Sequence, residues 1–323
     1  MTLLEIKNLS IVHRSEGVET TLVDDLSYGV SAGETLAIVG ESGSGKSLSS
    51  LALMRLLASD LHVTSGSVTL EGVDLLTLTD EEMRKRRGRD ISMVFQEPMT
   101  SLNPVRNIGS QITESIEENL GLSKGEARKR AIELLREVGV ADAERRMRQY
   151  PHHFSGGMRQ RVMIAIALAA EPKLIIADEP TTALDVTIQA QILDLMAKVC
   201  KDHGTALILI THNLGIVARY ANRVNVMYGG RIVETGTAAE VYYTPRHPYT
   251  QGLLNSVPRL DQDRKQPLKP IMGNPADPFT KITGCRFHPR CPYAQDLCRA
   301  QRPAFDGQTA CYFPLQTQTR EAS

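Results

Sequence analysis

Eight residues limit this chain more than any others: Gly40-Glu-Ser-Gly-Ser-Gly-Lys-Ser47. They fit the pattern G-x-x-x-x-G-K-[ST]. They also lie between a predicted strand, 34–39 (ETLAIV), and a predicted helix that starts near Ser47 (SLSSLALMRLL). That setting is what the pattern needs. Glycines let successive backbone N–H groups curl around a phosphate, and the N-terminus of the following helix favours negative charge. Gly40, Ser42, Gly43, Ser44 and Gly45 are the expected cradle. Lys46 is expected to reach the β- and γ-phosphates, and the Ser47 hydroxyl to help hold Mg²⁺. A Gly/Ser turn that matched by chance would lack the flanking strand and helix.

Two further segments add to the loop. Leu174-Ile-Ile-Ala-Asp-Glu-Pro180 reads as an apolar strand ending in Asp178, where a second Mg²⁺-holding carboxylate is required. Glu179 follows and projects the other way, where it could polarise an attacking water. Alone, Asp-Glu-Pro could equally be a solvated strand end. Phe154-Ser-Gly-Gly-Met-Arg-Gln160 opens a predicted helix and offers a second anion site, with free N–H groups and the positive end of the helix dipole. Its bland reading is a helix N-cap at Ser155.

The rest of the pattern is an α/β core with two additions. Residues 3–38 alternate as strands, and Ser65-Gly66 and Glu71-Gly72 are expected to punctuate two more short ones. Between about 97 and 165 the character turns helical, with a strongly amphipathic segment at 126–138. Apolar strands return at 173–177 and 206–210, and their alternation with helices predicts a largely parallel sheet. After about 255 the chain becomes proline-rich, and it carries four of its five cysteines there. The expected domains are 1–258 and 259–323, with one nucleotide unit and no internal repeat.

Lysine plus arginine balances aspartate plus glutamate at 37 each, and tryptophan is absent, so nucleic acid is not an expected partner. The longest apolar runs, 162–170 and 206–210, fall far short of the ~20 residues a membrane helix needs. The N-terminus has no apolar signal segment, so a cytoplasmic protein is expected.

Taken in order, these segments resemble the ABC ATPases. The resemblance comprises the phosphate loop (Walker A) and Gln96 of a Q-loop (VFQEP). It continues through the 154–160 signature, Walker B with Glu179, a D-loop (Ala183-Leu-Asp185) and a switch histidine, His212 in LITHN. It implies an ABC-type P-loop NTPase: a RecA-like core with an antiparallel β subdomain and an inserted α-helical subdomain, plus a small irregular Cys-rich C-terminal region. It also implies that two such domains pair head to tail. ATP then sits between Walker A of one and Ser155, Gly156 and Gly157 of the other. Glu179 is then the general base, His212 contacts the γ-phosphate, and Gln96 links Mg²⁺ to the coupling interface. The signature departs from the commonest pattern at Phe154 and Met158, and the adenine-stacking position holds His13.

A narrower likeness, to the ATPase subunits of oligopeptide, dipeptide and nickel importers, rests on 96–104, 178–186, Pro245-Arg-His-Pro-Tyr-Thr250 and 284–292. It implies two transmembrane permease subunits, a second ATPase subunit, an extracytoplasmic substrate-binding protein, and a peripheral place on the cytoplasmic face of the cell membrane. Cys285, Cys291, Cys298 and Cys311 have five, six and twelve residues between them. Zinc sites favour C-x₂₋₄-C pairs, which are absent. The long gaps suit wrapping around a larger cluster, and the resemblance suggests a 4Fe-4S cluster in some members. Zinc and free thiols are the alternatives. Cys200 reads as a small buried residue, and His247 and His288 as exposed loop residues. The alternative function is a soluble ABC-type ATPase acting on nucleic acid or ribosomes. A non-hydrolysing assembly subunit is disfavoured by Glu179 and His212.

Overall fold

The structure, a computed structural model, describes residues 2–97, 101–182, 184–256, 270–280 and 282–316. It forms two compact units. One comprises Met1–Thr2, Val30–Thr35 and Thr77–Ile210, the other Leu3–Gly29, Leu36–Leu76 and Thr211–Ser323. The expected domain boundary at 258/259 lies outside the described residues, as do Pro98–Thr100 and Ala183.

The second unit holds the phosphate loop. It opens with β1 (Thr2–Ser15) and β2 (Val18–Ser31). Their connection, Glu16-Gly17, has φ of 50° and 79°. A left-handed pair of this kind matches the twist of a hairpin. The alternation in β1 buries Leu4, Ile6, Leu9 and Ile11. Next come β3 (Thr35–Val39), α1 (Lys46–Leu53), β4 (Leu61–Leu70) and β5 (Val73–Asp74). Four of these strands form one sheet in the order β2-β1-β4-β5, with β1 and β4 antiparallel.

β4 runs straight through Ser65-Gly66, where a break was expected. Gly66 has φ 96°, and a Cβ there would lie 2.5 Å from the Lys7 carbonyl oxygen. The pairing register with β1 shifts between Lys7 and Ser10. The glycine therefore marks a bulge that bends a continuous strand.

The first unit carries α2 (Asp80–Arg86), β6 (Ile91–Val94), α3 (Ile108–Leu120), α4 (Lys124–Glu137), α5 (Ala143–Arg146), α6 (Gly156–Leu168), β7 (Leu174–Asp178), α7 (Val186–Asp202) and β8 (Ala206–Thr211). β6, β7 and β8 pair in parallel. Both β7 and β8 are buried along their whole length, as the unbroken apolar runs require. The amphipathic segment starts where its sequence supplies a reciprocal cap. Ser123 accepts from the Glu126 N–H, and the Glu126 carboxylate accepts from the Ser123 N–H.

The chain re-enters the second unit with α8 (Leu214–Tyr220), β9 (Arg223–Tyr228), β10 (Arg231–Thr237), α9 (Ala238–Tyr243) and α10 (Pro248–Asn255). β9 pairs in parallel with β3 and antiparallel with β10. The Cys-rich region adds only a short 3₁₀ turn, His288–Arg290, and α11 (Asp296–Ala300). It is nevertheless built into the core. Phe287 is 2% exposed and packs edge-on against Tyr228 and Tyr249, with ring centroids 5.1 and 5.4 Å away. His247 is buried, contrary to expectation, because it caps α10: its Nδ1 accepts from the Tyr249 N–H at 3.0 Å. No helix among the described residues is long and apolar enough to cross a membrane.

Candidate active site

In the second unit the phosphate loop joins the end of β3 to the start of α1, as the sequence predicts. Gly45 sits at the N-cap of α1 with φ 97° and no side-chain cap. A left-handed N-cap leaves the first N–H groups of the helix turned toward the loop. Gly40 has a second constraint, since a Cβ there would collide with the Met227 carbonyl. Lys46 is buried, and its Nζ donates to the Gly40 and Glu41 carbonyls at 2.7 and 2.9 Å. The ammonium therefore closes the loop into a ring. Ser47 lies at the start of α1, and His212 lies exposed between β8 and Asn213, the cap of α8.

The first unit supplies the carboxylates. β7 carries Asp178 at its buried end. Glu179 follows with φ 44°, a left-handed conformation that is costly for a residue with a Cβ. Its N–H donates to the Ile210 carbonyl at 3.0 Å, and its Oε2 accepts from the Thr182 hydroxyl at 2.8 Å. Gln96 Nε2 lies 3.5 Å from the same oxygen. Gln96, Asp178 and Glu179 are thus brought together at the ends of β6 and β7. Ser155 caps α6, accepting from the Met158 N–H. Gly157 meets Ile188: a Cβ there would lie 2.9 Å from its Cγ2. Asp185 caps α7 by accepting from the Ile188 N–H at 3.0 Å.

A buried lysine-closed loop, a carboxylate pair and an open Ser-Gly-Gly helix start make up the equipment of a nucleotide cassette. The family model described as ABC transporter matches residues 23–182, and that described as oligopeptide/dipeptide transporter, C-terminal region, matches 233–298. The chain is 49% identical to the oligopeptide transport ATP-binding protein AppD of Bacillus subtilis, over 100% of this chain and 99% of that protein. The chain belongs to the ABC transporter family. It is also 48% identical to the dipeptide transport ATP-binding protein DppD of Escherichia coli, over 98% of each. Among solved structures it resembles the dimeric, post-hydrolysis ATP-binding cassette MJ0796 bound to ADP and Pi. The TM-score is 0.65 and the identity 27%, covering 73% of this chain and 98% of that one. The chain is accordingly an ABC ATPase.

Two parts of this ABC ATPase's site carry no sequence signal. Arg290, from the Cys-rich region, grips Glu41 of the phosphate loop with both guanidinium ends, at 2.6 and 3.0 Å, and its side chain is 5% exposed. The Glu41 N–H donates to the Tyr249 hydroxyl at 2.9 Å. Such a two-pronged pair fixes direction as well as charge. The hydrogen bond to Glu41 is the leading reason that the Arg290 pKa rises further. Second, Phe279 meets His13 edge-on at 5.9 Å, while His13 Nε2 lies 3.1 Å from Asp60. His13, the residue expected to stack on adenine, thus has a second ring beside it.

The expected 4Fe-4S cluster is corrected. Cys285, Cys291, Cys298 and Cys311 do line one cavity, but its volume is about 20 Å³, room for a single water. Among the described residues no group of three or more His, Cys, Asp and Glu side chains is placed to hold a metal ion. Burial pushes the Cys311 thiol up to about 11 and raises Cys285 and Cys291 as well. The spacing reflects a packed loop: the Cys285 N–H bonds the Cys298 carbonyl at 2.8 Å. Cys200 is buried, as expected.

Proposed function

We propose that this ATPase powers import of short peptides through separate membrane-spanning subunits, working from the cytoplasmic face as one of a pair of cassettes. The observation that carries the peptide class is the full-length likeness to the two peptide-transport proteins. The rival reading, an ATPase acting on nucleic acid or ribosomes, has no counterpart among those relatives, and the chain's charge is balanced.

The site residues divide the work as follows. The N–H groups of Gly40 and Ser42–Gly45 cradle the phosphates, and Lys46 turns from the loop carbonyls to the β- and γ-oxygens. Ser47, Asp178 and Gln96 are oxygen donors that suit Mg²⁺. When bound, Mg²⁺ would supply positive charge against the β- and γ-phosphates. Glu179 takes the proton of the attacking water, and Thr182 aims the carboxylate that does so. His212 meets the γ-phosphate. Ser155, Gly156 and Gly157 offer their helix start to the nucleotide of the partner cassette, as do Asp185 and the rest of the D-loop. His13, with Phe279 beside it, receives the adenine.

Glu179→Gln tests this division. It keeps the size of the side chain and the Thr182 contact but cannot accept the proton. The variant is expected to bind Mg-ATP as the parent does and to lose turnover by ~10²-fold or more. Turnover at the parent rate would remove Glu179 from the role of base.

A further inference from the structure

A second cavity, of about 540 Å³, opens between β2, β10 and the Cys-rich region of the same unit. That volume lies in the range of small-molecule sites. Arg231, Arg286 and Arg302 stand in its wall, and all three converge on one carboxylate, Asp24. Arg302 Nη1 lies 2.7 Å from it, Arg231 Nε 3.1 Å and Arg286 Nη2 3.8 Å. Asp25 also reaches the wall, where its Oδ1 accepts from Asn8 Nδ2. Three cations against two carboxylates leave one net positive charge.

The donors are in surplus too. Each guanidinium has five N–H groups. Arg231 Nη2 donates to Asp24 Oδ1 at 3.2 Å and Arg302 Nη1 to Oδ2 at 2.7 Å, so the three guanidinium groups bring more N–H donors than the Asp24 carboxylate has lone pairs. Burial lowers the Arg286 pKa; Asp24 opposes that, while Arg302 and Arg231 add to it. Ile232, Phe287 and Phe305 add apolar lining.

We propose that this cavity binds a small amphipathic carboxylate: its head taken by Arg302 and Arg231, its apolar body by Phe287 and Phe305. One surplus positive charge suits a monoanion better than a phosphate. Two sources share that chemistry, the C-terminus of a short peptide and a free organic acid.

Binding there reaches the phosphate loop through one turn. Gly230, beside Arg231, donates its N–H to the Ser44 carbonyl at 3.0 Å and accepts from the Asp24 N–H at 2.9 Å. Arg286 donates to the Gly229 carbonyl. A Cβ at Gly230 would collide with the Leu22 carbonyl, so the turn has little freedom to move independently. The Gly229-Gly230 turn thus joins the cavity wall to the phosphate loop.

The test uses the full chain saturated with Mg-ADP, so that the phosphate loop is already filled. Calorimetric titration with 4-phenylbutyrate is expected to give one saturable site per chain, weakened at least tenfold in Arg302→Gln and absent for 4-phenylbutanamide. Phe305→Asp, at the half-exposed mouth, is the second variant and is expected to weaken binding similarly. ADP binding and the melting temperature of each variant report that it is folded. Tighter binding of the dipeptide Leu-Phe than of phenylbutyrate, lost in its C-terminal amide, identifies a peptide terminus as the source; equal or weaker binding identifies an organic acid. Only the dipeptide arm rests on the peptide-import reading. No saturable binding of either probe at millimolar concentration, or binding indifferent to both variants in folded protein, overturns the site.

Discussion

Arg290 and Glu41 are 249 positions apart and share a hydrogen-bonded ion pair that is almost dry at the arginine end. Removing one partner of such a pair leaves the other charge uncompensated, at a cost of ~3–5 kcal/mol. Glu41 is the second residue of the phosphate loop, so part of that cost appears as a displaced loop. Arg290→Ala is expected to raise the Kd for ATP about tenfold, and Arg290→Lys, which keeps the charge but not the fork, by an intermediate amount. Equilibrium binding of a fluorescent ATP analogue would show it. Unchanged ATP affinity in a folded Arg290→Ala protein would reduce the pair to a local staple. Residues like these are where the sequence was least readable. Lys46, Asp178, Glu179 and Ser155 belong to short contiguous patterns whose chemistry depends on neighbours in the chain. Arg290, Phe279 and Tyr249 act across tertiary contacts, and nothing in their local spacing says where they will land. The four cysteines show the converse error, because their number and gaps suited a cluster while the fold left room for one water among them.

At the scale of elements, α10 shows how a buried cap ties stability to pH. His247 holds the first turn through its Nδ1, and burial lowers its pKa from 6.5 to about 3. The folded state therefore keeps the ring neutral while the unfolded chain protonates it below about 6.5. As pH falls through that window toward 3, the unfolded state binds the extra proton and stability drops by ~1.4 kcal/mol per pH unit from this group. Glu234 acts in the opposite sense. Its buried carboxyl accepts from the Arg246 and His247 N–H groups at 2.7 and 2.8 Å, yet burial raises its pKa, so the fold takes up that proton early. Urea midpoints measured between pH 6.5 and 5 are expected to fall less steeply in His247→Asn, which retains a capping oxygen. An equal slope would assign the acid sensitivity elsewhere. Elements themselves were legible where period and punctuation agreed, as in β3, β7 and α4. The break expected at Ser65-Gly66 was not, because the same dipeptide serves a turn or a bulge, and only the pairing strand decides between them.

The whole molecule gives the Cys-rich region a different standing from a tail. Phe287 is its main apolar anchor, sharing a cluster with Tyr228 and Tyr249 beside the phosphate loop's own tyrosine contact. Phe287→Ala is expected to cost ~3–5 kcal/mol, the range for emptying a buried phenyl site, and to lower the melting temperature of the protein. Loss of less than 1 kcal/mol would mean that the region folds apart from the cassette. Peptide import driven by this ATPase can be observed in sealed vesicles. The chain is reconstituted with its membrane subunits, partner cassette and binding protein, and accumulation of a labelled dipeptide is followed with ATP supplied. Hydrolysis and accumulation are expected to rise together, and a Glu179→Gln chain is expected to bind ATP while accumulation stops. Accumulation that continued at the parent rate in that variant would mean that hydrolysis by this chain does not drive import.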